Sequence, residues 1–155
     1  MEVNKKTDDN GFDVFYVKER IGTQTFYMEF SVCDETADTV YINVCVALYN
    51  KRTQAALNER NKVITGKDPI KTVSVGMKAY SMLEKEVLEC YIHQKNVCFM
   101  VWWTDNRRRE AYSKVLSKKG YVVGYMCGGK CLHKMVRKSM RQPESENTDD
   151  CRETT

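Results

Sequence analysis

Few side chains in this chain could carry chemistry, and their spacing narrows what that chemistry is. With only His93 and His133 present, no Ser-His-Asp arrangement is supported, and neither a P-loop nor a dinucleotide fingerprint occurs. Cys127-x-x-x-Cys131-x-His133 has residue types that bind zinc, but the spacing is unusual and a fourth ligand would have to come from distant residues. Reduced thiols in a strand pair, with no metal, are the expectation. Thr65-Gly66-Lys67 stands directly before Asp68-Pro69, a capping residue followed by the residue suited to the first helical position. One Gly, one Lys and the free N–H groups of a helix start could cradle a phosphate. The Asp68 carboxylate opposes that use, and an ordinary turn and cap is the alternative.

Charge is the other chemical feature. Between Asn106 and Arg141 there are 11 Lys and Arg, among them Arg107, Arg108, Arg109, Lys118, Lys134 and Arg137, against the single acid Glu110. A basic face there would attract phosphate groups, nucleic acid or an acidic protein, unless it is simply solvated. Residues 143–155 hold five of the 21 acids, one of the 25 bases and no apolar side chain beyond Cys151, and are expected to be a disordered acidic tail. The body, residues 1–142, is left with 24 bases and 16 acids.

The chain of 155 residues is long enough for one domain with a sizeable core. Residues 97–104 form the longest uncharged apolar run, far short of the roughly 18 residues of a membrane span, and residues 1–10 lack the apolar centre of a signal peptide. A cytoplasmic protein without membrane contact is the expectation, and seven scattered cysteines in such a chain read as free thiols.

The elements that must position these groups follow from periodicity. Residues 12–19, 25–33 and 39–49 are dense in Phe, Tyr, Val and Ile and read as strands, with a hairpin turn at Gly22-Thr23 and a polar loop at 34–38, an antiparallel meander. From Pro69, apolar residues Ile70, Val73, Met77, Tyr80, Leu83, Val87, Leu88 and Tyr91 recur at steps of three and four, which predicts a long amphipathic helix. Residues 96–104 are almost continuously apolar, as in a central strand covered on both faces and parallel to a neighbour. A second helix is expected from Asp105-Asn106 to about Lys119, ended by Gly120. Residues 121–127 and 131–137 then read as strands joined by a Gly128-Gly129 turn. Trp102 and Trp103 point to opposite faces, one to a core and one to a cleft. The expected fold is α+β, a mixed, mostly antiparallel sheet with two long helices in the order β-β-β-α-β-α-β-β.

That order, with the stretch N-V-C-F-M-V-W-W-T-D-N-R-R-R-E-A-Y-S-K-V-L-S-K-K-G-Y, the Gly-Gly hairpin and K-M-V-R-K, resembles the core of GNAT-type N-acetyltransferases over about residues 40–138. It is similar to the short GNAT-like proteins encoded by bacteriophages. The resemblance implies a single GNAT-like domain over 1–142 that transfers an acyl group from acetyl-coenzyme A to an amine. It implies that the coenzyme pyrophosphate lies at Thr65, Gly66 and Lys67, and that Asn106 contacts the pantetheine arm or the acceptor side. The family's Gly-rich run is reduced here to one glycine. Its acid Tyr falls on Leu116, so Tyr112, one turn earlier on nearly the same face, is the candidate acid. Glu29, on the second strand, is the candidate base. The competing expectation is a module that keeps this architecture without catalysis and holds nucleic acid or an acidic host protein on its basic C-terminal half.

Overall fold

The computed structural model describes residues 1–49, 68–103, 110 and 113–139. Its strands are β1 (Asn4–Thr7), β2 (Asp13–Ile21), β3 (Gln24–Glu35), β4 (Thr39–Tyr49), β5 (Asn96–Val101), β6 (Val122–Met126) and β7 (Gly129–Val136), and helix α1 (Pro69–Tyr91) connects β4 to β5. The strands make one sheet in the order β1-β2-β3-β4-β5-β7-β6. Only β4 and β5 run parallel; the other neighbours are antiparallel. The domain is thus α+β with a mixed, mostly antiparallel sheet. Among the described residues there is one long helix, and the stretch on which a second was expected to open lies outside them. What is described of it is helix at 113–116, a 3-10 turn at Ser117–Lys119, and Gly120 ending the run in the left-handed conformation.

Local chemistry explains most of the boundaries. Gly22 has φ +63°, and with Thr23 it forms the two-residue turn between β2 and β3. The Asp68 side chain accepts the Lys71 N–H, and Pro69 occupies the first helical turn. The second hairpin turns one residue earlier than expected, on Cys127 (φ +50°) and Gly128 (φ +83°), so Gly129 opens β7. Gly129 is a glycine for another reason. A Cβ there would sit 2.7 Å from the Trp102 ring. Strand β1 was not expected because Asn-Lys-Lys-Thr has no apolar alternation; it is an edge strand held by its ladder to β2.

Strand alternation divides the sheet into two faces. Phe15 and Val17 of β2, Phe26, Phe30 and Val32 of β3, Val40 and Ile42 of β4 and Phe99 of β5 are buried with Ala79, Tyr80, Leu83 and Val87 of α1. The opposite face carries a smaller, sulfur-rich cluster: Cys98, Met100 and Cys131 are fully buried, with Cys33, Tyr41, Trp102, Met126 and Met135 packed on them. Burial pushes the Cys98 thiol up to about 12 and Cys131 to about 11. These thiols behave as small hydrophobes.

Candidate functional site

The parallel pair β4 and β5 stays in register from Thr39↔Asn96 to Asn43↔Met100 and then parts. Strand β4 continues against β3 as far as Tyr49↔Thr25, so from Val44 onward one side of its backbone faces no strand among the described residues. A cleft of about 350 Å³ opens at this parting. Val44 and Val46 of β4, Phe26 and Met28 of β3 and Val101 beyond the parting form its floor; Thr72, Val73, Gly76, Met77 and Tyr80 of α1 form one wall. Val115, Leu116 and Lys119 close the other side, and Trp102 and Asn43 lie at its end. The Trp102 indole N–H donates to Asn43 Oδ1 at 2.9 Å, fixing that ring across the mouth of the parting strands. Trp103 packs on the main core instead, as the alternation of the two tryptophans predicts.

The wall is braced from behind by a network that the sequence did not announce. The Tyr80 hydroxyl donates to Glu84 Oε2 at 3.1 Å and meets the Tyr121 hydroxyl, while Lys134 Nζ lies 2.6 Å from the same Glu84 oxygen. Lys119 Nζ sits 4.8 Å from the centre of the Tyr80 ring. Burial, then the neighbouring hydroxyl, pushes the Tyr80 proton far above the ordinary tyrosine range, and burial also raises Tyr121. Tyr80 therefore holds its proton and works as a hydrogen-bond group that positions the α1 wall. The signal available in sequence was Glu84, an acid four residues after Tyr80 on the apolar side of the helix.

The expected site residues fall into three groups. Thr65, Gly66, Lys67, Asn106, Arg107, Arg108, Arg109 and Tyr112, with the tail 143–155, lie outside the described residues. Glu29 is described but does not line the cleft: it alternates with Met28 and Phe30, which face α1, and it accepts the Tyr27 hydroxyl at 2.6 Å. Lys118 and Arg137 are exposed, whereas Lys134, expected as a phosphate contact, is committed to Glu84. Its position opposite the core-facing strand residue Phe99 aims its ammonium at α1.

At the start of α1 the Lys71 N–H is taken by Asp68 Oδ1 at 3.1 Å, and the Thr72 hydroxyl donates to the Asp68 carbonyl. Asp68 therefore puts a negative charge where an incoming phosphate would have to sit. Cys131 and His133 do share a strand face, but Cys131 is buried against Cys98 and Met100, and no cluster of three metal-ligating side chains exists among the described residues. Nor is any helix among them long and apolar enough to cross a membrane. Comparison of the chain with protein-family models, curated proteins and solved structures found no match.

Proposed function

We propose that the chain is an N-acyltransferase that takes an acyl group from acetyl-coenzyme A and passes it to an amine. The observation that carries this reading is the apolar cleft at the parting of the parallel strands β4 and β5. A slot with apolar walls suits an extended arm, because its methylenes gain contact with Val44, Val46, Val73 and Met77. This is also where the resemblance to GNAT-type enzymes would seat the pantetheine arm. In the reaction the amine nitrogen attacks the thioester carbonyl carbon, a C–N bond forms and the C–S bond breaks. Water takes the amine proton, and Tyr112 would protonate the departing thiolate.

Titration calorimetry with acetyl-coenzyme A tests the reading, with binding expected and lost by more than tenfold in Lys67→Glu, about 1.4 kcal/mol or more. Tyr112→Phe is expected to bind normally and transfer slowly. No heat of binding at millimolar ligand overturns the enzyme reading.

One observation favours a second reading. Because the Asp68 carboxylate caps the N-terminus of α1, the helix start is better suited to stand free of anions than to hold a pyrophosphate. A noncatalytic module that binds nucleic acid or an acidic protein through Arg107, Arg108, Arg109, Lys118 and Arg137 fits that feature. If nucleic acid is the ligand, its binding must weaken steeply as salt rises.

A further inference from the structure

Among the described residues the sheet ends in β1 on one side and β6 on the other, and the two edges are built oppositely. The β1 edge is Asn-Lys-Lys-Thr, and its lysines blunt it against pairing. The β6 edge is Val-Val-Gly-Tyr-Met, with no charge, and it exposes Val122, Val123 and Tyr125, the last at 77%. Such an edge is a template for another strand.

Its polarity can be derived. Cys127 and Gly128, both with positive φ, make a two-residue turn, so the flanking Met126↔Gly129 is a hydrogen-bonded pair. Alternation then makes Gly124↔Cys131 bonded as well, and turns the N–H and C=O groups of Val123 and Tyr125 outward. Their side chains share one face, next to Lys130, the cross-strand neighbour of Tyr125. On the other face His133 lies over Gly124 so closely that a Cβ would fall 2.5 Å from its ring. The edge is thus apolar and closely packed on its His133 face.

Charge selects the occupant. Residues 111–143 contain no acid, Lys118 and Lys119 precede β6 and Lys130 flanks it, and the acid whose charge reaches the turn at Cys127 is Asp34. A second copy would bring lysines against lysines, and residues 143–155 have acids but no apolar alternation. We infer that β6 is a docking edge for an extended segment of another protein, with alternating apolar residues between acidic flanks, added to the sheet as an eighth strand. Main-chain bonds to Val123 and Tyr125 hold it, Val123 and Tyr125 side chains pack on its apolar positions, and Lys118 and Lys130 meet its acids.

The test uses the full chain and a fluorescent peptide, Glu-Glu-Thr-Val-Thr-Val-Thr-Val-Glu-Glu, read by anisotropy. Binding is expected, at least tenfold weaker when the four glutamates are replaced by lysines, and accompanied by slowed hydrogen exchange at the Val123 and Tyr125 amides. Tyr125→Pro, which removes one outward N–H, should abolish binding. Tyr125→Glu should weaken it at least tenfold with an unchanged melting temperature, so it decides the matter if the proline variant does not fold. No binding at millimolar peptide, equal binding of the lysine-flanked peptide, or no protection at those two amides overturns the proposal. So does slowed exchange of the same amides on self-association without peptide, or on adding an oligothymidine instead.

Discussion

The two halves of α1 carry the same apolar stripe and meet opposite environments. Leu83 and Val87, in the C-terminal half, are fully buried over β2, β3 and β5, whereas Ile70 and Met77, in the N-terminal half, are 85% and 44% exposed. The difference lies beneath the helix. The C-terminal half crosses a continuous sheet, and the N-terminal half overhangs the place where β4 and β5 separate. An apolar stripe at helical spacing therefore reports where a helix could be covered, and the sheet decides where it is.

The largest effect should come from truncating the covered half. Leu83→Ala is expected to cost about 2–5 kcal/mol in denaturant unfolding, the transfer and cavity cost of a fully buried leucine. Met77→Ala, on the overhanging half, should cost less than about 1 kcal/mol and act instead on whatever fills the cleft. Equal costs would mean that the cleft is closed and the contrast false.

Tyr80 marks the boundary between the halves and gives a sharper probe. Its hydroxyl and that of Tyr121 are held protonated above the ordinary tyrosine range, so above about pH 10 the folded chain binds more protons than the unfolded one. Stability should not respond to these groups below about pH 9 and should then fall as pH rises through the ordinary tyrosine range, where the unfolded chain loses protons that the folded one keeps. Tyr80→Phe should cost about 1–3 kcal/mol at neutral pH, because Glu84 and Tyr121 lose a partner, and should reduce the alkaline slope. An unchanged slope, measured by unfolding between pH 9 and 11, would place the hydroxyl in water.

This contrast also shows what could be read in the sequence. Strand β4, the Gly22-Thr23 turn, the Asp68 cap and the parallel partner of β4 follow from apolar density, turn residues and capping chemistry, which are local. No local pattern gives the cleft, because it arises from two strands parting and nothing at Asn43 or Met100 signals the last rung of a ladder; only the resemblance implies splayed strands, near Leu48 and at residues 101–103. Residue type points to Glu29, but strand alternation puts it off the cleft. Charge points to Lys134, but only the register of β5 and β7 reveals that it meets Glu84. Strand β1 was invisible because an edge strand needs no apolar face.

Gly76 lies in the overhanging half, and a Cβ there would meet the Phe26 ring at 3.7 Å, an ordinary contact. Gly76→Ala should therefore stabilise the protein by about 0.5–1 kcal/mol through helix propensity and the stiffer unfolded chain. Because Gly76 lines the cleft, the same methyl should narrow it and weaken a bound arm. A rise in melting temperature together with weaker acetyl-coenzyme A binding would tie the exposed half of α1 to the ligand. A rise with unchanged binding would separate them.

The smallest change in stability belongs to the tip of that same half. Asp68→Asn removes a negative charge but keeps an oxygen that can accept the Lys71 N–H, and Asn caps a helix about as well as Asp. Stability should move by no more than about 0.5 kcal/mol, the favourable interaction of Asp with the helix dipole being the part lost. The consequence for ligands is larger and its sign is diagnostic. If a coenzyme pyrophosphate sits at the start of α1, neutralising the carboxylate beside it removes a like-charge repulsion and binding should tighten several-fold. If the ligand reaches only the apolar cleft, affinity should stay the same, since Asp68 does not line it. Calorimetry on this variant with coenzyme A, at low and at high salt, distinguishes the two, because the gain should shrink as salt screens the charge.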